Sequence, residues 1–240
     1  MIRFENVTYS YPGGREVLHN ISFEIKEGGS VGLIGANGAG KSTLLKAMLG
    51  LIEADGSITV DGLAMSRENL PAIRKALGYV LQDSDSQMFM PTVLEDMIFG
   101  PMNYGMSREE AEKKAGEVLE RLGIEELKNR YNHKISGGEK RMAAIATILA
   151  MEPKAMLMDE PSSSLDPKNR RGLINILNDI KITKLIASHD LDMILDTCEE
   201  VILINKGSVI ARGKAKEILK DKALLEANDL ELPFRLQGGA

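Results

Sequence analysis

Apolar and polar positions alternate through IRFENVTYSY and again through VLHNISFEI, with the turn-forming PGG of Pro12 to Gly14 between them. The spacing predicts an antiparallel hairpin. SVGLIG follows as a short continuous apolar run, which reads as a buried strand, and STLLKAMLGL has the apolar spacing of a helix packed on it. SITVDG, a further hairpin-like piece, precedes a predicted helix near Leu70 to Leu77 and a strand, GYVLQ. From Asp83 to about Pro153 the pattern changes. SREEAEKKAGEVLERLGI and GGEKRMAAIATILAM are long helical patterns with no strand between them, so residues 83–153 read as an inserted helical subdomain. Strand and helix then alternate in AMLMDEP, RRGLINILNDI and KLIASHD, as in a parallel sheet wrapped by helices. VILINKGSVIARG reads as a hairpin turning at Lys206 and Gly207, and the segment beyond Leu224 is given no role. The expectation is a single α/β domain, with residues 1–82 and 154–240 forming its β-rich part and core.

Composition narrows the partners. The chain has 240 residues, 43% of them hydrophobic and 27% charged, and a formal net charge of -5. That balance suits a soluble globular protein and is poor for gripping a phosphodiester backbone, so no nucleic acid is expected. A single cysteine, Cys198, excludes an internal disulfide framework and a cysteine-rich metal site, and fits a reducing compartment. The N-terminal MIRFENVTYS lacks the form of a secretory signal, and no apolar run reaches the roughly 20 residues that span a bilayer. Any role at a membrane is expected to pass through a partner.

The candidate chemistry begins with GANGAGKST. Gly35, Gly40, Lys41 and Ser42 fit GxxxxGK[ST], between a predicted strand and a predicted helix. Glycines let backbone N–H groups turn inward around phosphate oxygens, and the helix N-terminus adds a favourable field. Asn37, Gly38, Ala39 and Thr43 complete the expected cradle, Lys41 is expected to reach the β and γ phosphates, and the Ser42 hydroxyl to ligate Mg²⁺. A nucleoside triphosphate with Mg²⁺ is the implied ligand. Such a loop needs a carboxylate for the metal at the end of a buried strand, and AMLMDE supplies Asp159, with Glu160 beside it as candidate base. In KISGGEKR, Ser136 is a predicted helix N-cap with Glu139 in the capping-box position.

In this order the motifs resemble those of the nucleotide-binding subunit of an ATP-binding-cassette (ABC) transporter, over nearly the whole chain. The resemblance implies a P-loop NTPase fold: a RecA-like, mainly parallel sheet core with an N-terminal antiparallel β subdomain and the inserted helical subdomain. Ile135, Ser136, Gly137, Gly138 and Glu139 match the LSGGQ signature, with glutamate where glutamine is usual. The resemblance implies a head-to-tail pair, in which Ser136, Gly137 and Gly138 of one chain close on the γ-phosphate held by Lys41 of the other. Gln82 resembles the glutamine that touches Mg²⁺ and faces the membrane partner, and His189 the switch histidine that contacts the γ-phosphate and orients Glu160 or the water. Ser164, Leu165 and Asp166 resemble the stretch through which the two sites communicate. Tyr11 resembles the aromatic that stacks on adenine, with Tyr9 a near neighbour.

The implied activity is ATP hydrolysis coupled to transport, by a peripheral subunit on the cytoplasmic face of the membrane, paired with a copy of itself or with a second ATPase chain and docked on a transmembrane subunit. The loop DSDSQMFMPTVLEDMIFG carries Met88, Phe89, Met90, Met97, Ile98 and Phe99, which serve either as that docking surface or as core of the helical subdomain. SYPGG, the segment from Gln87 to Ser107, HKISGGEKRMAAIATILAMEP and the stretch from Ser188 to Gly213 are most similar to ATPases of energy-coupling-factor importers, the cobalt and nickel branch above all. Vitamin-importing members of that group are the alternative. A soluble ABC ATPase acting on nucleic acid shares the motifs but tends to carry insertions or basic arms that this chain lacks.

Overall fold

The computed structural model describes residues 1–14 and 16–238. In chain order its elements are β1 (Ile2–Ser10), β2 (Glu16–Ile25), β3 (Ser30–Ile34), α1 (Lys41–Met48), β4 (Asp55–Val60), β5 (Leu63–Ala64), α2 (Leu70–Ala76), β6 (Leu77–Val80), α3 (Ser84–Gln87), α4 (Val93–Asn103), α5 (Arg108–Leu122), α6 (Gly137–Leu149), β7 (Ala155–Asp159), α7 (Pro167–Asp179), β8 (Thr183–Ala187), α8 (Leu191–Thr197), β9 (Glu200–Asn205), β10 (Ser208–Lys214), α9 (Ala215–Ile218) and α10 (Lys222–Glu226). Among the described residues these strands form two sheets. An antiparallel four-stranded sheet has the order β2-β1-β4-β5, and a six-stranded sheet has the order β10-β9-β3-β8-β7-β6. In the larger sheet β6, β7, β8, β3 and β9 run parallel and β10 closes the edge antiparallel. The chain is thus a P-loop NTPase-type α/β fold.

The burial pattern explains the layering. Every residue of β3, β7 and β8 is buried, as expected of strands covered on both faces, and their sequences SVGLI, AMLMD and TKLIA show no exposed register. β1 alternates buried Ile2 and Phe4 with exposed Arg3 and Glu5, so one face of the smaller sheet meets the core. Helix α1 lies between the sheets. Its Leu44, Leu45 and Met48 are fully buried with Phe4, Ile21, Leu157 and Leu185, each such side chain contributing about 1.5–3 kcal/mol. A second apolar cluster joins the opposite face of the larger sheet to α4, α5, α6, α7 and α8.

Between residues 83 and 153 the chain forms α3 to α6. α5 begins with a capping box of Ser107 and Glu110 and ends at Gly123, whose φ of 65° suits a residue without Cβ. Here the structure corrects one reading. DSDSQMFMPTVLEDMIFG is not a loop: Thr92 caps α4 by accepting from the Glu95 N–H at 3.3 Å, and the segment is helical from Val93. Its apolar residues divide by burial. Met88, Met97 and Ile98 are buried, whereas Phe89 and Phe99 are exposed and meet edge to face at 5.0 Å. The segment after Leu224 also has more structure than its composition suggested. Leu230 and Leu232 pack on the larger core, and Arg235 reaches Asp192 and Asp196 on α8.

Candidate active site

The site grows from the C-terminal ends of the parallel strands. β3 ends at Ile34, the chain loops over Gly35 to Gly40, and α1 begins at Lys41. Gly40 has a φ of 110°, and a Cβ there would sit 3.2 Å from the Val17 carbonyl oxygen. A Cβ on Gly35 would lie 2.2 Å from the Ile204 carbonyl oxygen, so only glycine lets β9 approach the loop. The β9–β10 turn braces the same loop: the Gly207 N–H donates to the Ala39 carbonyl at 3.0 Å. The Lys41 ammonium folds back on the loop, donating from Nζ to the Gly35 carbonyl at 2.7 Å and the Ala36 carbonyl at 3.3 Å. Burial lowers its pKa below the ordinary lysine value, against the attraction of Glu160 and Asp159.

Asp159 closes β7 and is buried. Burial raises its pKa, opposed by a hydrogen bond from Ser42, by Lys41 and by a hydrogen bond from Tyr79. The Tyr79 hydroxyl donates to Asp159 Oδ2 at 3.4 Å. Glu160 follows with a φ of +46°, a left-handed conformation unusual for a residue with a side chain, held by its N–H donating to the Ala187 carbonyl at 2.8 Å. Its Oε2 accepts from Ser188 Oγ at 2.9 Å and from the His189 N–H at 3.2 Å, and lies 2.8 Å from His189 Nδ1. The carboxylate is buried while the His189 ring is largely exposed.

These groups line one open cleft of about 860 Å³, which takes in Gly35 to Thr43, Gln82, Asp159, Glu160, His189 and Tyr11. Of the two neighbouring tyrosines, Tyr11 lines the cleft, its hydroxyl 3.3 Å from Thr43 Oγ1, while Tyr9 packs toward the smaller core and touches Tyr11 edge to face. Gln82 is held by its backbone: Arg141 of α6 donates to the Leu81 carbonyl at 2.6 Å and to the Gln82 carbonyl. The sequence reading passed over Arg141, and also over His19, Lys206, Asp229 and Leu230 on the cleft wall. Lys206 and Gly207 had signalled only a turn, and no local pattern brings Asp229 to the cleft.

Ser136, Gly137, Gly138, Ser164, Leu165 and Asp166 do not line this cleft. Ser136 caps α6 as expected, accepting from the Glu139 N–H at 3.3 Å, while Glu139 Oε2 accepts from the Ser136 N–H at 2.7 Å. The glutamate at the end of the signature is therefore engaged in capping, and the hydrogen bonds from Ser136 hold its carboxyl below the usual range. Asp166 caps α7, accepting from the N–H groups of Lys168 and Asn169. Among the described residues there is no cluster of three or more His, Cys, Asp or Glu arranged to hold a metal ion, and no helix is long and apolar enough to cross a membrane.

The family model of the ABC transporter matches residues 18–163. The chain belongs to the ABC transporter ATP-binding family. This ABC ATPase is 42% identical over 239 residues to the energy-coupling factor transporter ATP-binding protein EcfA of Methanothermobacter thermautotrophicus, covering 97% of this chain and 77% of the relative. It is 40% identical to EcfA of Methanosphaera stadtmanae, over 98% of this chain and 86% of that one. Among solved structures it resembles cbiO1 of Clostridium perfringens, part of the ABC transporter complex cbiONQ, with a TM-score of 0.85, 34% identity and coverage of 98% and 97%. It also resembles the ATP-binding cassette MJ0796, seen as a dimer in a post-hydrolysis state with ADP and Pi, with a TM-score of 0.80, 29% identity and coverage of 90% and 99%. The ABC ATPase is thus an ATP-binding subunit that couples ATP hydrolysis to transport.

Proposed function

We propose that this ABC ATPase energises a membrane importer of the energy-coupling-factor type, with cobalt or nickel ions as the cargo. The observation that carries the reading is the likeness, over almost the full chain, to EcfA proteins and to cbiO1. The cargo itself rests on the sequence resemblance to the cobalt and nickel branch. A shared ATPase serving vitamin-binding subunits is the second reading, favoured by the same EcfA relatives.

In the proposed cycle Tyr11 stacks on adenine, and the amides of Gly35 to Thr43 receive the phosphates. Lys41 exchanges its loop carbonyls for the β and γ phosphates, and its charge, with the amides, stabilises the transition state. Glu160 polarises the attacking water and His189 orients it; the hydrogen bonds from Ser188 and the His189 N–H fix the carboxylate in place beforehand. The oxygen donors of Ser42, Gln82 and Asp159 suit Mg²⁺, a hard cation that takes one or two protein ligands beside substrate phosphates. When bound it neutralises phosphate charge. The signature of a paired chain, Ser136 to Gly138, closes the γ-phosphate, and Ser164 to Asp166 connect the two sites. The dimeric state of the similar MJ0796 cassette supports such pairing. The exposed pair Phe89 and Phe99 forms the docking surface for a transmembrane subunit, which would hold the chain peripherally at the cytoplasmic face.

The test is a tagged pull-down from detergent-solubilised membranes, with every co-purifying subunit identified. Small membrane proteins with this ATPase alone support the dedicated metal importer. A second ATPase chain with vitamin-binding subunits supports the alternative, and recovery without any membrane protein overturns both.

A further inference from the structure

The first turn of α7 touches two regions that serve different purposes. On one side, Gly138 of the signature lies directly on Asn169: a Cβ at Gly138 would come within 2.3 Å of Asn169 Nδ2. On the other side the next residue, Arg170, grips the loop after the switch histidine. Its Nε donates to Asp190 Oδ2 and its Nη2 to Asp190 Oδ1, both at 2.6 Å, in a half-buried bidentate pair. Asp190 has few other ways to move. It accepts from Ser162 Oγ at 3.1 Å and the Met193 N–H at 2.9 Å, and its own N–H donates to Ser188 Oγ at 3.1 Å. Ser188 Oγ is the donor to Glu160. An unbroken set of contacts therefore runs from Gly138 through Asn169, Arg170, Asp190 and Ser188 to the carboxylate of Glu160.

We infer that Asn169 and Arg170 form a coupling junction within the chain, with Arg170 a positioning residue that sets the Glu160–His189 pair according to the state of the signature loop. The physical basis is the fork. A guanidinium holding a carboxylate through two parallel bonds fixes the direction of Asp190 as well as its distance, which a single ammonium cannot do. The signature does not line the chain's own cleft, so in the proposed pair the nucleotide it meets is held by another chain. A shift of Gly138 on such binding presses on Asn169, and the adjoining Arg170 carries it to the base of this chain's own site. The inference rests on the proposed roles of Glu160 and His189.

Steady-state hydrolysis of Mg-ATP by the purified full-length chain tests it, alongside thermal unfolding. Arg170→Met is expected to lower kcat about tenfold, since small misplacements of catalytic groups cost that much or more, while KM for Mg-ATP stays within about twofold. Arg170→Lys recovers part of the loss. Arg171→Met removes the neighbouring exposed ion pair to Asp196 and serves as the control, with normal turnover and a similar unfolding midpoint. Gly138→Ala drives a methyl into Asn169 and lowers kcat, and adding Asn169→Ala restores part of it. Normal kcat in Arg170→Met, or no restoration by Asn169→Ala, overturns the junction. Equal losses of kcat, affinity and unfolding midpoint in Arg170→Met also overturn it, because they mark a merely structural pair. Glu160→Gln separates the two levels: turnover in that variant defeats the assignment of the base, whereas its silence beside a normal Arg170→Met defeats the junction alone.

Discussion

The phosphate cleft keeps Lys41, Asp159 and Glu160 buried and hydrogen-bonded, whereas the signature loop leaves Ser136 and Gly137 open to solvent with only their own helix to serve. Lys41, Asp159 and Glu160 are each less than a tenth exposed, and each already has a partner: loop carbonyls for Lys41, Tyr79 for Asp159, Ser188 and His189 for Glu160. Such groups are held ready at the cost of burying charge, which pays only where a ligand completes them. The signature spends its side chains differently. Ser136 and Glu139 cap α6 reciprocally, so its remaining asset is a helix N-terminus with small residues and free backbone amides. In the proposed head-to-tail pair, one chain would carry the catalytic half of one site and the closing half of another.

The sharpest break in this comparison comes from Glu160→Gln. The amide cannot act as base but keeps the shape and can still accept from Ser188, so turnover should fall by about 10²–10⁴-fold with ATP binding retained. Steady-state hydrolysis against equilibrium ATP binding checks both halves. Hydrolysis near the normal rate would remove Glu160 from the role.

Gly137→Asp attacks the other region. A Cβ there meets nothing within 4 Å, so the fold should accept the side chain, but in the proposed pair a carboxylate would face the other chain's phosphate. Hydrolysis should fall about 10–100-fold while the chain's own cleft still binds ATP. The comparison gives a sharper form. Mixing Gly137→Asp with Glu160→Gln places an intact Glu160 opposite an intact signature in one of the two sites, so two silent variants should regain activity together where the chain pairs with itself. No recovery would point to a second, different ATPase chain as the partner.

A smaller effect separates the regions by pH. Burial lowers the Lys41 pKa in the free protein from the ordinary 10.5, and phosphate raises it again on binding. Raised in the complex, the group contributes affinity that is fully present below its free-state pKa and is lost as pH rises toward its bound-state value. ATP affinity should therefore decline from a pH below 10.5, by at most about tenfold per pH unit, with proton uptake on binding in that window. Calorimetric titrations in buffers of different ionisation enthalpy measure it. Lys41→Ala should flatten the dependence along with the affinity.

What the sequence disclosed follows from how far apart the interacting residues lie. The cradle from Gly35 to Thr43 is contiguous, and the strands β3, β7 and β8 each carry an unbroken apolar run (VGLI, AMLM and LIA), so spacing alone exposed them. α4 was hidden because the apolar run continues through the preceding turn and Gly100-Pro101 interrupts the helical signal. Tyr9 and Tyr11 stand two apart and their rings touch; only the end of β1 at Ser10 lets the second reach the cleft. Contacts across long separations left no trace in spacing. Arg141 on the Leu81 carbonyl spans 60 residues and Arg170 on Asp190 spans 20. Neither has a local signature, since an arginine on a helix reads as a solvated charge until its acceptor is placed.

The segment after Leu224 gives the gentlest test: Asp229 and Leu230 line the cleft, while Arg235 fastens the segment to α8. Arg235 donates to Asp196 at 2.7 Å through both terminal nitrogens and to Asp192 at 3.0 Å through Nε, while the Phe234 N–H donates to Asp192 at 2.7 Å. Both acids lie on α8, which begins at Leu191, shortly after His189. The guanidinium is partly exposed, so solvent screening keeps its worth modest, although a bidentate fork in a network retains more than an isolated surface pair. Arg235→Ala should cost about 1 kcal/mol and lower the unfolding midpoint by about 2–4 °C, with kcat unchanged. Calorimetry and a hydrolysis assay decide it. A fall in kcat without a fall in stability would mean that the segment acts on α8 and the histidine before it, joining the catalytic half of the molecule rather than merely fastening the chain.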